Sequence, residues 1–272
     1  MEKDTATEAR LADAHELPNA WLLDPAGNLV TFLSNEIIVA ALSKKAILLT
    51  QATPWLFRAA AKGMQSDNKA GLAAIGRLMK EADSDSAFAA AEAATGFTTI
   101  ASHSAVAIWA AIETAIEQTL LNHIRKLSNA ADLMIVSAPS LKMSKLQTST
   151  EAGMRQALRR WEGAVDEQDA VARALLMLAA MKVEVLISED VRRHLTEMGE
   201  IRNVLMHRGG VADGWFVTKC PWLGLQVGEA VALNEQKLGK YIDAARIFAV
   251  ELMRGCAGSP FAYKAPSNAQ AV

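Results

Sequence analysis

The stretch Ser188-Glu189-Asp190-Val191-Arg192-Arg193-His194-Leu195-Thr196-Glu197-Met198-Gly199-Glu200-Ile201-Arg202-Asn203-Val204-Leu205-Met206-His207-Arg208-Gly209-Gly210 reads as one amphipathic helix from start to stop. Ser188 is a favoured N-cap, and the two acids behind it suit the positive end of a helix. Val191, Leu195, Met198, Ile201 and Leu205 recur at helical spacing and predict a stripe that faces a core. The double glycine stops the helix. At 100° per residue, Glu200, Asn203 and His207 share a second stripe, with Arg202 beside it. A polar strip is therefore expected at the helix end, next to a turn that lets other groups approach closely.

Outward from this helix the pattern stays helical. On the N-terminal side, a helix is expected from Asp169 to Leu186, preceded by one capped by Thr150 that carries Met154, Leu158, Trp161 and Val165. Residues 137–150, with Pro139 and a Ser/Thr/Lys mixture, read as a loop. Between Ser102 and Leu127, the stripe Val106, Trp109, Ile112, Ile116, Leu120 and Ile124 predicts a long helix. The first third reads as a short amphipathic helix over 1–17 and a loop from Pro18 to Asn28. Ser34 is expected to cap the apolar run Ile37 to Leu49, and Thr53-Pro54 to start a helix reaching about Gln65. Helical segments over 68–81 and 84–94 follow, and a plain core helix is the expectation for Ile37 to Leu49. On the C-terminal side, Trp215-Phe216-Val217 and Leu225-Gln226-Val227-Gly228 suggest a small β-hairpin near 214–233. An amphipathic helix from Asn234 to Leu252 closes the pattern.

The composition agrees with a mainly all-α fold. The apolar share of 51% is mostly alanine and leucine, good helix formers, and aromatic residues make up only 6%. That apolar fraction with a net charge of −2 excludes disorder as the main state. Two cysteines, Cys220 and Cys256, cannot staple a chain of 272 residues, and their spacing matches no metal-ligand pattern. A pI near 6.2 argues against non-specific coating of nucleic acid but leaves room for a local basic site. The polar start of the chain shows no signal peptide. The uncharged stretch between Glu92 and Glu113 carries too many polar residues to insert well, so a cytoplasmic protein with no membrane partner is expected.

One constellation carries chemistry. Arg202 suits a phosphate, the imidazole of a histidine exchanges protons near neutral pH, and Asn203 can hold either the histidine or a substrate. The bare spacing of Arg202 and His207 means little, because Arg10 and His15 repeat it without support. The added content is Asn203 next to the arginine, the helix-end placement and the following Arg208-Gly209-Gly210.

The run Glu200 to Gly210 resembles the signature helix of HEPN domains, small all-helical modules marked by Arg, a polar residue, then His four to six positions on. Val211-Ala212-Asp213, Cys220-Pro221-Trp222, Gly228-Glu229 and a closing helix with Tyr241 resemble the tail of a HEPN-like group of bacterial proteins. The likeness covers roughly residues 100–254, is specific at 200–213 and does not reach 1–95. It implies a HEPN-like helical domain over 96–256, flanked by two parts read from their own pattern, a helical N-terminal region of open role over 1–95 and a tail over 257–272. It further implies a metal-independent endoribonuclease with no cofactor, working as a homodimer with two motifs in one cleft, as in toxin–antitoxin or antiviral systems. Arg202 would then bind the scissile phosphate, His207 would move a proton and Asn203 would position either. Glu200, Arg208 and Arg193 would assist substrate binding. RNA, a second copy and an antitoxin or regulatory protein are the implied partners. A HEPN-derived module that binds RNA or protein without catalysis is the other reading, and residues 1–95 can serve as a sensor or membrane-peripheral region.

Overall fold

The computed structural model describes residues 20–64, 68–142, 146 and 149–260. The expected helix over 1–17 lies outside the described residues, and of the expected tail over 257–272 only 257–260 are described, 257 and 258 as helix. Among the described residues ten α-helices follow one another: α1 (Ala20–Thr50), α2 (Thr53–Gly63), α3 (Lys69–Ala94), α4 (Thr98–Lys126), α5 (Ala130–Ser137), α6 (Glu151–Glu162), α7 (Ala170–Ala180), α8 (Glu189–His207), α9 (Gly214–Lys219) and α10 (Glu235–Gly258). A 3-10 turn at Pro221–Leu223 follows α9. Among the described residues there is no β-strand, so the fold is all-α. By length and composition α4 could cross a membrane, and 39% of its most apolar window is buried inside the protein.

The chain divides into two compact units. The first holds Met1–Leu33, Trp109–Gly199 and Asp243–Val272; the second holds Ser34–Ile108 and Glu200–Ile242.

In the first unit, residues 20–28 of the loop expected from Pro18 to Asn28 are helical, with Pro25 inside α1. Proline cannot donate to the carbonyl four residues back. Here that carbonyl, on Trp21, accepts instead from Asn122 Nδ2 at 2.9 Å. The distant asparagine makes the helical proline tolerable. Helix α6 starts as expected, with Thr150 accepting from the Gly153 amide. Asp169 caps α7 through the Ala172 amide at 2.7 Å, and its other oxygen accepts from Thr196 Oγ1 of α8 at 2.9 Å. Helix α7 ends before the expected Leu186, since Lys182 takes a left-handed φ of 63°. The fully buried Trp161 satisfies its indole N–H on Ser137 Oγ. At Gly199 a Cβ would sit 2.8 Å from the Trp109 ring, which explains a glycine in mid-helix.

In the second unit, the segments expected at 68–81 and 84–94 are one helix, α3, capped by Asn68. The buried Glu92 carboxylate accepts from the Thr99 and Ile100 amides and so caps α4. The hairpin expected near 214–233 is replaced by α9, the 3-10 turn and one antiparallel bridge, Val211 to Ala230. Asp213 is the reason. Its carboxylate accepts from the Phe216 amide at 2.9 Å and starts a helix that buries Phe216.

Candidate functional site

The motif sits where α8 ends. Ser188 caps this helix, accepting from the Val191 amide, as the sequence predicts. Leu195, Met198, Ile201 and Val204 are buried; Leu205, expected in the core stripe, is only half-buried. The drift from 205 to 204 reflects helical twist at the last turn, where the chain leaves the core. After His207 the amides of Arg208 and Gly210 both turn back to the Val204 carbonyl, at 2.9 and 3.1 Å. This reversal requires Gly209 at φ 61° and Gly210 at φ 79°, a region costly for any residue with a Cβ.

Three backbone hydrogen bonds then anchor the segment beyond the turn: Val231 to Gly210, Ala212 to Glu229 and Gly228 to Ala212. The helix end is thus held on a fixed backbone frame within the second unit.

Of the expected residues, Arg202 and Asn203 are brought together. Arg202 Nη1 donates to Asn203 Oδ1 at 2.9 Å, and both side chains are half-buried. His207, a turn further, is exposed on the same helix. Arg208 is exposed too, and its Nε donates to Asp213 Oδ2 at 3.0 Å. Asp213 therefore caps α9 with one oxygen and holds Arg208 with the other. The Phe216 amide first, and the Arg208 guanidinium second, hold its carboxyl below the usual carboxylate range.

Glu200 departs from the polar strip expected in solvent, being buried. Arg193, in the first unit, pairs with Asp190 at 2.8 Å. Arg192 pairs likewise with Glu189, so acids of the first turn neutralise both arginines. Sequence reasoning missed the buried Glu197 and the tie from Asp213 to Arg208. The second had a local signal, an aspartate just before a possible helix start.

A cavity of about 350 Å³ in the first unit lies among α4, α6 and α7, with Trp109, Leu158 and Met177 in its wall. One of about 280 Å³ in the second unit is walled by Ile37, Phe97 and Leu238, with the Lys44–Glu235 ion pair beside it. Neither is lined by Arg202, Asn203 or His207. Among the described residues no group of three His, Cys, Asp or Glu side chains is placed to hold a metal ion.

Chemically, the helix end presents a half-exposed guanidinium for an anion and an exposed imidazole for a proton. The chain matches no protein-family model, no curated protein and no solved structure.

Proposed function

We propose that this protein is a HEPN-type, metal-independent endoribonuclease, cytoplasmic, and a toxin or antiviral-defence effector. The observation that carries this reading is the Arg202–Asn203 hydrogen bond at 2.9 Å beside the exposed His207 at the end of α8. Asn203 orients the guanidinium, which then binds the scissile phosphate. The substrate's own 2′-hydroxyl is the nucleophile. Its oxygen bonds to phosphorus, the bond from phosphorus to the 5′ oxygen breaks, the 2′ proton leaves to a base and the 5′ oxygen takes up a proton. The products are a 2′,3′-cyclic phosphate and a 5′-hydroxyl. DNA lacks the nucleophile and is not cut.

His207 carries one of the two protons, and an open strip on one chain fits a site completed by a second copy. In that homodimer two motifs face each other, and the His207 of each serves as base or acid. Arg208, fixed by Asp213, adds a further phosphate contact.

The near-neutral pI of about 6.2, with no basic stripe legible in the sequence, favours a second reading, a HEPN-derived module that binds RNA or protein without cutting it. Expression in a bacterial host separates the two. Wild type should arrest growth and degrade RNA, while Arg202→Ala and His207→Ala, produced at equal level and helicity, should do neither. Equal RNA integrity in all three strains supports the binding module.

A further inference from the structure

Helix α1 enters the second unit at Ser34, and no residue from 34 to 53 is buried. The apolar run Ile37 to Leu49, expected as a core helix, instead turns one side to solvent, while Ala40, Ser43 and Ile47 are half-buried. Leu49 is 72% exposed, Leu42 59% and Ile38 56%; beyond the turn, Trp55 is 67% and Leu56 54% exposed. At 100° per residue, Ile38, Leu42, Lys45 and Leu49 lie within about 60° of one another. They form one outward stripe, while Lys44 turns inward to Glu235 and the Phe97 ring. On α2, Pro54 is buried and Trp55 and Lys62 point to solvent. Soluble proteins rarely leave this much apolar side chain uncovered without a partner.

Charge identifies the partner. From Ile37 to Ser66 the chain contains no aspartate or glutamate, and it contains Lys44, Lys45, Arg58 and Lys62. Lys44 and Arg58 are neutralised by Glu235 and Asp83, leaving Lys45 and Lys62 on the exposed apolar face. Apolar and aromatic residues interleaved with lysines are the pattern of helices that lie in a bilayer interface. There the lysine stems run along the apolar layer and the ammonium groups reach anionic headgroups. A second copy fits less well, because a two-fold pairing centred on this stripe sets Lys45 against Lys45.

We infer that the outward face of α1 and α2 docks on an anionic lipid bilayer, lying on its surface without crossing it. This docking is independent of the nuclease reading. The expectation of no membrane partner concerns segments that insert, and a surface-lying helix needs no span.

Flotation of the full chain with vesicles tests it. Wild type should float with phosphatidylcholine vesicles that contain phosphatidylglycerol, stay behind with phosphatidylcholine alone, and be released by salt. Lys45→Glu with Lys62→Glu should weaken binding by about thirtyfold or more, two lysines at the membrane surface contributing roughly that factor. Leu49→Glu with Trp55→Glu should abolish it. Because all four residues are exposed, the variants should keep wild-type helicity and melting. Folded wild type that fails to float at low salt, or binding that survives the lysine reversals, overturns the inference. So does a wild-type dimer that Leu49→Glu with Trp55→Glu splits while no variant meets vesicles, which would assign the face to a second copy.

Discussion

Two stretches of the second unit, residues 34–94 and 200–242, use helix differently. The first holds most of α1 with α2 and α3, long and alanine-rich, yet among its described residues only Pro54, Ala82, Ala89 and Glu92 are buried. The second holds the end of α8, the start of α10 and, between them, α9, a 3-10 turn and a single bridge, and it buries Ile201, Val204, Phe216, Leu233 and Tyr241, among others. Helix length and propensity are thus no guide to where the unit is held together. Packing is decided by which faces find a partner, and the second stretch, in its helix ends and its connecting segment alike, finds more of them. The consequence is functional. A well-anchored frame fixes the polar end of α8, while the long helices are left to offer an apolar, basic face to something outside the chain.

The sharpest way to break this comparison is to truncate one large aromatic in each stretch. Phe216→Ala should cost about 3–5 kcal/mol in denaturant unfolding, the usual range for an enclosed aromatic. Trp55→Ala should stay within about 0.5 kcal/mol. Equal losses would mean that α2 is packed as firmly as α9. A smaller effect is expected at Asp213, where alanine removes the cap of α9 and the hold on Arg208, at a cost of about 1 kcal/mol. The folded carboxyl ionises below its unfolded value, so this contribution is complete above the usual carboxylate pKa and is lost as pH falls through the folded one. Urea midpoints against pH should therefore show a shallower acid limb in Asp213→Asn than in wild type. The smallest effect belongs to the ion pair joining the two stretches, Lys44 to Glu235 at 2.6 Å. Both partners are well exposed, so Lys44→Met should cost no more than about 1 kcal/mol, and less in high salt.

Much of this architecture was legible because its signals are local. Ser188 and Thr150 are caps where their side chains predicted them, and the double glycine reverses the chain after His207. What was not legible depended on residues far away in sequence. Pro25 reads as a helix breaker until Asn122 is seen to satisfy the Trp21 carbonyl. Trp215-Phe216-Val217 reads as a strand by residue type, and one capping aspartate makes it a helix. The run Ile37 to Leu49 reads as core because it is apolar, but periodicity reports that a face exists, not that anything covers it. At the candidate site the placement of Arg202, Asn203 and His207 at a helix end followed from spacing alone. The burial of Glu200 and the pairing of Arg193 with Asp190 did not, since both depend on neighbours rather than on period.

The central claim is that the end of α8 acts on RNA through Arg202 and His207. The most direct test incubates the purified full chain with RNA in a chelating buffer and reads the ends of the fragments. The account predicts 2′,3′-cyclic phosphate and 5′-hydroxyl ends for wild type, with a rate loss of roughly a hundredfold or more in His207→Ala, the range for removing a general acid or base. Intact RNA in the wild-type reaction, or cleavage undiminished in His207→Ala, would contradict it.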